Sequence, residues 1–218
     1  IRSGKIIDGS GLPAFHGDVA INGRHIVEVG KVTGGARRTL NADGRVVAPG
    51  IVDNHTHYDA QVTWDPLCTY SCHHGVTTVV IGNCSLGLAP AHKEDRETLA
   101  GVLSHVEAIP LQAIQAGVKW SWETVPEYMD ALDRRLGINV ACLIGHSAVR
   151  RYVMGEASQE RQAREDEVKT MKAIVREGIE AGAVGVSFER NMRHFDWNGR
   201  LAPTNLASDG EILAVASV

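Results

Sequence analysis

The sequence predicts an α/β fold, in which helices cover a parallel sheet and a small β-unit comes first. Two observations support this prediction. Residues 1–49 hold short apolar and β-branched segments separated by Asp-Gly and Asn-Gly turns, which is the pattern of tight hairpins. From residue 50 onward, short apolar segments alternate with helical patterns, which favours parallel strands joined by helical crossovers.

Strands and helices of the second region are assigned from length and periodicity. One helix is predicted to begin near Lys93, and another follows a capping box formed by Thr124 and Glu127. A third, at about 163–181, carries an apolar stripe made of Val168, Met171, Ile174, Val175 and Ile179. The segments interpreted as strands are 51–53, 77–81, 138–144 and 183–187.

A last helix is predicted to begin with the capping box of Ser208 and Glu211. Its apolar face comprises Ile212, Leu213 and Val215. The chain stops at Val218, about two helical turns later, without a capping residue. We therefore expect the chain to be an incomplete part of a longer protein.

Composition and charge argue against several classes of partner. The chain has 218 residues, of which 44% are hydrophobic and 22% charged, so a packed core is expected. The net charge is −4 with no basic block, which argues against nucleic acid and anionic membranes. No apolar run approaches the roughly 18 residues of a membrane helix. The four cysteines suit a reducing compartment, so we expect a cytoplasmic protein.

The strongest chemical signal follows the first strand of the second region, in the segment 52–59. His55 and His57 occupy alternate positions, and alternate residues of an extended segment point to the same side. Two imidazoles so placed can bind one metal ion such as zinc. In folds with parallel strands, ligands bind at the carboxyl ends of the strands, and this pair follows such an end. Two unrelated histidines are the alternative, but the position after an apolar strand favours metal.

A cysteine follows the second of these strands, in the Gly-Asn-Cys-Ser segment 82–85. Because neighbouring parallel strands end at the same edge of a sheet, Cys84 is expected near the histidine pair. A thiolate is a good zinc ligand, and the cation would keep it deprotonated. Taken alone, such a cysteine is more often a small buried residue. Together with His55 and His57, metal ligation is the favoured interpretation.

Two of these segments carry a family resemblance. Segments 55–61 (His-Thr-His-Tyr-Asp-Ala-Gln) and 75–84 (Gly-Val-Thr-Thr-Val-Val-Ile-Gly-Asn-Cys) resemble the D-aminoacylase branch of the amidohydrolase superfamily, the N-acyl-D-amino-acid deacylases. Segments 44–50, 144–147 and 181–187 are similar to further parts of that family. The resemblance therefore covers essentially the whole chain.

The resemblance implies a fold and a domain organisation. The implied fold is a partial (β/α)8 TIM barrel of about four βα units, preceded by a small β-sandwich-type unit. The implied domains are an N-terminal β-unit at 1–49 and the first half of a metal-dependent hydrolase barrel at 50–218.

The resemblance also implies a site and a reaction. His55 and His57 match the family's metal-binding pair, and Cys84 matches the cysteine that binds metal in this branch. For the complete protein it implies one or two Zn²⁺ ions and hydrolysis of a linear amide, in an N-acyl amino acid, by zinc-activated water. No catalytic residue is assigned, because two further histidines and an aspartate base are expected beyond Val218. We expect little or no turnover from this chain alone.

Three alternatives stay open beside the deacylase. Other amidohydrolases, acting on cyclic amides, share the H-x-H motif. A serine hydrolase could use Ser147, because Gly145-His146-Ser147 follows an apolar strand as a nucleophile elbow does, although Val149 replaces the final glycine. A chelator would abolish the activity of a metal-dependent hydrolase, whereas a serine-directed phosphonate would abolish that of a serine hydrolase. A non-catalytic relative is the third alternative, and it would be expected to lack the metal residues and bound zinc.

A second group of potential ligands has a plainer interpretation. Cys68 and Cys72 are four positions apart, and His73 and His74 follow them directly. Because Gly75 comes next, the two histidines are expected in the last turn of a helix, where the helix dipole favours them. Structural packing is therefore preferred to a second metal cluster.

Two acidic residues flank the histidine pair. Asp53 and Asp59 could each orient an imidazole through its second nitrogen or bond to a turn, and the sequence does not decide between these roles. The charged run 160–167 is interpreted as the solvent-exposed start of a helix.

Overall fold

The computed structural model describes residues 1–133, 136–196 and 198–218. By its internal contacts the chain divides into two units, Ile1–Ile51 and Val52–Val218. Within the described residues, no helix is both long and apolar enough to span a bilayer.

The first unit contains a four-stranded sheet in the order β3-β2-β1-β4. Adjacent strands β1, β2 and β3 are antiparallel, whereas β4 pairs with β1 in parallel. The hairpin predicted at Asn22-Gly23 forms between β2 and β3, and Gly23 takes a φ of +60°, which glycine tolerates. The strands are β1 (Gly4–Ile6), β2 (Phe15–Asn22), β3 (His25–Gly30) and β4 (Val46–Val47).

The second sheet has four strands in the order in which they occur along the chain, β5-β6-β7-β8. β6 and β7 pair in parallel, with Thr78 opposite Asn139, and β7 and β8 pair in parallel, with Leu143 opposite Gly185. The strands are β5 (Ile51–Asp53), β6 (Val76–Ile81), β7 (Asn139–Gly145) and β8 (Gly185–Ser187). The predicted α/β class, with a curled parallel sheet, is confirmed.

Helices connect these strands and cover the sheet. The predicted capping box starts one of them, since Thr124 Oγ1 accepts from Glu127 N at 3.3 Å and Glu127 Oε2 accepts from Thr124 N at 3.0 Å. The helix predicted near Lys93 begins at Arg96, because Lys93–Asp95 form a 3-10 turn. The α-helices are α1 (Arg96–Glu107), α2 (Leu111–Gly117), α3 (Val125–Leu132), α4 (His146–Met154), α5 (Glu165–Glu180) and α6 (Asp209–Ala216).

The core of the second unit lies between the sheet and these helices. Strand residues Val79, Ile81 and Ile144 are at most 1% exposed. From the helices, Leu103 of α1 and Met171 of α5 join the same buried cluster. Packing on this side holds the sheet rigid and leaves the carboxyl ends of β5 and β6 free to carry polar side chains.

Three local expectations are wrong. Ile179, assigned to the buried stripe of α5, is 39% exposed, and Leu213, assigned to the apolar face of α6, is 70% exposed. In the charged run 160–167, Glu167 is buried rather than solvated. Both Arg161 Nη atoms donate to its carboxylate, at 2.7 and 2.8 Å. This fork, helped by the Arg164 amide, outweighs burial, which raises the pKa, and brings the pKa of Glu167 to about 2.

Candidate metal centre

The structure brings the three predicted ligands together at one edge of the parallel sheet. His55 and His57 lie directly after β5, and Cys84 lies in the turn after β6. One ligand atom from each residue lies within 4.8 Å of the other two. His55 Nε2 is 3.1 Å from Cys84 Sγ, and the two imidazole centroids are 5.4 Å apart.

Thr56 sets the direction of the two histidines that flank it. Its amide and its hydroxyl both donate to the carbonyl oxygen of Val80, at 3.1 and 2.7 Å, so this residue faces β6. Because neighbouring residues of an extended segment point to opposite sides, His55 and His57 both face away from that contact. Asn83 adds a second tie, since its Nδ2 donates to Thr56 O at 3.2 Å and to Val80 O at 2.9 Å.

Cys84 lies in a turn with left-handed backbone conformation. The φ angles are +77° at Gly82, +55° at Cys84 and +60° at Ser85. Only glycine adopts such angles without strain, so the turn depends on contacts that hold the other two residues. Glycine is also needed at position 82 because a Cβ there would overlap the carbonyl oxygen of Leu143 on β7.

Burial keeps two of the candidate ligands, His57 and Cys84, uncharged in the absence of a cation. It lowers the pKa of His57 to about 4, with a further contribution from the charge of His55, so the imidazole is neutral at pH 7. Burial, followed by the Glu189 carboxylate, raises the pKa of the Cys84 thiol to about 12. A bound cation opposes both causes of the thiol shift, because it stabilises the thiolate directly.

Two carboxylates near the cluster were not predicted from the sequence. Glu107, the last residue of α1, places Oε1 3.4 Å from His57 Nε2. Since His57 is neutral, this contact is not an ion pair, and burial raises the pKa of Glu107 as well. Glu189 follows β8 and lies 3.8 Å from Nε2 of His194. Glu189 could have been predicted from its position two residues after a parallel strand. Glu107 could not, because no motif marks the end of the helix that carries it.

The donor set fits a zinc ion. Neutral imidazole nitrogen and cysteine sulfur are ligands that zinc prefers, with bond lengths of about 2.0–2.1 and 2.3 Å. Ligands at such lengths around one ion lie roughly 3–4 Å apart, and the separation between His55 and Cys84 is within that range. In the described part of the chain, no hydrogen-bond partner reaches the buried Nδ1 of His57.

The flanking aspartates do not contact the imidazoles. Asp53 Oδ1 accepts a hydrogen bond from the backbone amide of His55 at 3.3 Å, which is the turn role. Asp59 is buried, and burial raises its pKa to about 7. Among the described residues, its Oδ2 has no hydrogen-bond partner. Asp53 therefore stabilises the loop that carries the pair, whereas Asp59 is enclosed in the protein.

Among the described residues, the second group of potential ligands does not form a metal cluster. His73 and His74 lie in the last turn of a 3-10 helix, Ser71–His74, which ends at Gly75 with φ of +84°. Over the ranges that the structure describes, His55, His57 and Cys84 are the one group of three or more residues close enough to hold a metal. Cys68 and Cys72 are free thiols.

The geometry at Ser147 does not support a serine hydrolase. Ser147 is buried at the start of α4, and its Oγ lies 3.0 Å from Ser85 Oγ and 3.0 Å from Thr204 Oγ1. His146 Nδ1 contacts Thr204 Oγ1 at 3.0 Å instead. No imidazole among the described residues reaches the Ser147 hydroxyl, so the pair of nucleophile and base is not formed.

A buried ion pair lies next to these hydroxyls and was not predicted. Arg150 of α4 has no exposed surface, and its Nε donates to Glu211 Oε1 of α6 at 2.7 Å. Its remaining nitrogens donate to backbone carbonyl oxygens of Ser158, Pro203 and Arg161. Glu211 Oε1 also lies 3.3 Å from His146 Nε2. We call His146, Ser147, Arg150, Thr204 and Glu211 the closed network.

Comparison with known proteins decides the family. Residues 38–212 match the model of the family described as "Amidohydrolase family". The chain belongs to the amidohydrolase family. This amidohydrolase is 34% identical over 190 residues to D-aminoacylase of Alcaligenes xylosoxydans xylosoxydans, an alignment that covers 86% of the chain and 36% of that protein. The chain thus spans about a third of the length of the curated relatives it matches.

Solved structures agree with the sequence matches. A D-aminoacylase structure, described by its binuclear metal center, matches with a TM-score of 0.79 and 32% identity. An N-acyl-D-glutamate deacylase from Bordetella bronchiseptica, complexed with zinc and a phosphonate inhibitor, matches with a TM-score of 0.80 and 30% identity. Each alignment covers 99% of this amidohydrolase and 41% of the other chain. The predicted resemblance to the D-aminoacylase branch is confirmed.

Proposed function

We propose that the whole protein is a metal-dependent hydrolase that removes the acyl group from N-acyl-D-amino acids, with His55, His57 and Cys84 as metal ligands. The observation that carries the proposal is the convergence of these three donors at the carboxyl edge of a parallel sheet. The D-aminoacylase and deacylase relatives support the substrate class.

Zinc is the metal that we propose for the site, as one or two ions in the whole protein. When bound, zinc polarises an amide carbonyl and lowers the pKa of a coordinated water from about 15.7 towards 7. His55, which is exposed, and His57, which is half-buried, would hold the ion from one side, and Cys84 would hold it from the other. The structure of the deacylase with zinc supports this choice.

The chain's own groups give the site its shape and charge. The Thr56 and Asn83 contacts hold the histidine loop against the cysteine turn, so the donors need little reorganisation to bind an ion. The carboxylate of Glu107 lies beside His57 and that of Glu189 acts on Cys84, so both add negative charge that favours a cation. Leu103 and Ile81 belong to the buried core of the same unit, which excludes water from the interior next to the strands.

We further propose that residues 50–218 form the first half of a metal-dependent hydrolase barrel of the (β/α)8 type and that residues 1–49 form its β-unit. The parallel order of β5 to β8 and the match to less than half of the D-aminoacylase chain support this organisation. A small N-acyl amino acid as partner and a cytoplasmic location belong to the same proposal, and the four free cysteines are consistent with the latter.

The first test measures zinc stoichiometry of the chain. We expect wild type to bind zinc, and we expect Cys84→Ala and His57→Ala to lose most of it. Cys72→Ala and His74→Ala are matched controls, because they remove the same groups away from the cluster, and both should retain the metal. A wild-type chain free of zinc, or variants that bind as much as wild type, would overturn the assignment.

The second test uses the whole protein and compares substrates. We expect hydrolysis of N-acyl-D-amino acids in preference to their L-enantiomers and to cyclic amides, with loss on chelation and recovery with zinc. Turnover of cyclic amides alone would favour the other amidohydrolase hypothesis. Inactivation by a serine-directed phosphonate, with no effect of the chelator, would instead support the serine hydrolase that the Ser147 geometry disfavours.

A further inference from the structure

The turn that carries Cys84 cannot hold its shape through backbone preference. Cys84 and Ser85 both have positive φ, which residues with a Cβ rarely adopt. An unrestrained turn would relax towards negative φ and carry the sulfur away from the imidazoles. One local hydrogen bond, from Leu86 N to Asn83 O at 2.9 Å, opposes that relaxation, and contacts from elsewhere in the chain add to it.

Ser187, the last residue of β8, supplies two such contacts. Its Oγ donates to the carbonyl oxygen of Gly82 and accepts from the backbone amide of Ser85 at 3.1 Å. One hydroxyl thus bonds the backbone two positions before Cys84 and one position after it. The contact joins parts of the chain about a hundred positions apart and crosses from β8 to the turn after β6.

The backbone bond from Leu86 N to Asn83 O, at 2.9 Å, also closes the turn around Cys84, but each of the other contacts restrains one side only. The amide of Ser147 donates to Ser85 O at 3.0 Å, which restrains only the later side. Asn83 bonds through its side chain to Thr56 O and Val80 O, which restrains only the earlier side. In the described part of the chain, the Ser187 hydroxyl is the one side-chain group bonded to the backbone on both sides of Cys84.

We propose that Ser187 is a positioning residue for metal binding: its hydroxyl clamps the left-handed turn and thereby aims the Cys84 sulfur at the two imidazoles. The inference rests on the proposed role of Cys84 as a metal ligand. It adds a residue of the fourth strand to a site whose ligands follow the first two strands of the sheet. The effect on metal is indirect, because Ser187 contacts backbone and not the ligand atoms.

The experiment measures zinc affinity of the chain by competition with a chromophoric chelator. Ser187→Ala should weaken zinc binding by about 10- to 100-fold, the usual effect of removing an outer partner of a ligand. Ser187→Thr keeps the hydroxyl and suits a strand, so it should restore most of the affinity. Ser158→Ala is the matched control, because the Ser158 hydroxyl also donates to a backbone carbonyl, that of Gly155, but lies outside the turn.

A second pair of variants distinguishes the positioning role from a folding defect in Ser187→Ala. Ser187→Thr and Ser187→Val have nearly the same shape and differ by one hydroxyl, so the valine variant alone should lose affinity. With cobalt(II) in place of zinc, the same variant should show a weaker thiolate-to-cobalt charge-transfer band, since its sulfur is no longer aimed at the ion. A merely structural serine would change thermal stability and leave the band intact.

The outcomes separate this inference from the proposed function. If wild type binds zinc and the alanine and valine variants bind it equally tightly, the positioning role is wrong and the ligand assignment stands. If wild type binds no zinc, both are wrong. Reduced affinity and a reduced cobalt band in Ser187→Val, with Ser187→Thr close to wild type, would support the positioning role.

Discussion

Histidines follow two strands of the same parallel sheet, yet their surroundings differ completely. After β5, His55 is exposed, and the buried Nδ1 of His57 has no partner within the described residues. After β7, His146 is fully buried, bonds Thr204 through Nδ1 and faces Glu211 through Nε2. The first histidines lie beside a thiol, whereas the last lies among an ion pair and hydroxyls.

The comparison shows what separates a candidate ligand site from a structural network. In the closed network, Arg150 directs its nitrogens to a carboxylate and three carbonyl oxygens, so its hydrogen-bonding capacity is spent inside the protein. In the metal cluster, the donors lie close together and His57 and Cys84 are neutral, which is an arrangement that an added cation would stabilise. A strand-end position alone therefore does not distinguish function from structure.

The largest expected effect comes from breaking the closed network. Glu211→Ala leaves Arg150 buried without its carboxylate, so the free energy of unfolding should fall by about 3–5 kcal/mol. Urea denaturation at pH 7 measures this change. His57→Ala, at a half-buried position, should cost about 1 kcal/mol while abolishing most zinc binding.

A double variant tests whether the loss of stability comes from the unpaired charge of Arg150. Arg150→Met with Glu211→Leu replaces the pair by apolar groups and should be more stable than Glu211→Ala alone. If the single variant is as stable as wild type, or if it loses zinc as His57→Ala does, the separation of the two regions is wrong.

Asn83→Ala should give the next largest effect and should reduce both the free energy of unfolding and the zinc affinity. Its side chain is buried and ties the histidine loop to the cysteine turn, so its loss should cost about 1–3 kcal/mol of stability and weaken zinc binding. Asn139→Ala is the control, because Asn139 makes a similar bond to Thr77 O at the opposite end of the sheet. Unchanged zinc affinity in Asn83→Ala would contradict the proposed coupling of the two loops.

Acid should destabilise the chain through the closed network. Burial lowers the pKa of His146 below its ordinary value of 6.5, so the unfolded chain binds this proton more readily. The free energy of unfolding should therefore fall as pH decreases below about 6.5, by at most about 1.4 kcal/mol per pH unit for one proton. His146→Asn, which keeps a side-chain group near Thr204, should lack this part of the dependence.

Glu211 extends the same dependence to lower pH. Burial raises its pKa, but the contacts with His146 and Arg150 outweigh burial and hold the pKa below its ordinary value of 4.5. The stability that the ionised carboxylate contributes is present above pH 4.5 and is lost as pH falls through the lowered pKa. Equal slopes for wild type and His146→Asn between pH 6.5 and 5 would argue against the assignment to His146.

The smallest effect concerns the start of α6, the helix that carries Glu211. Ser208 Oγ accepts from Glu211 N at 3.1 Å, so Ser208→Ala removes the helix cap and should cost about 1 kcal/mol. Ser217→Ala, near the other end of the helix, is the control and should change little. A loss as large as that of Glu211→Ala would mean that the cap, rather than the ion pair, dominates this part of the molecule.

The candidate ligands could be predicted because they follow from two local rules. His55 and His57 share a side because of the two-residue period of an extended segment, and parallel strands bring Cys84 to the same edge. The helix caps at Thr124 and Ser208 are equally local, and both side chains accept the expected backbone amides. Only the first completes its predicted capping box, because the Glu211 carboxylate binds Arg150 instead. The histidine pair and the helix caps depend on residues close together in the chain, and Cys84 depends on the pairing of consecutive strands.

What the sequence did not reveal depends on side-chain pairing that no periodicity marks. Arg150 meets Glu211 across 61 positions, and no periodicity marks either residue. Glu167 looks solvated in a charged run, but a fork from Arg161 satisfies its carboxylate and permits burial. The clamp by Ser187 was invisible for the same reason, since a serine at the end of a strand has many ordinary roles.

Four side chains carry the polarity of Glu211 towards the cysteine turn. His146 Nε2 lies 3.3 Å from Glu211 Oε1, and in the tautomer that has its proton on Nε2, Nδ1 is an acceptor. In that tautomer, the three contacts of 3.0 Å that follow are all hydrogen bonds only when Thr204 donates to His146, Ser147 to Thr204 and Ser85 to Ser147. In this arrangement, the imidazole that faces a charge on the last helix sets the direction of the Ser85 hydroxyl, one residue after Cys84, with no shift of the backbone.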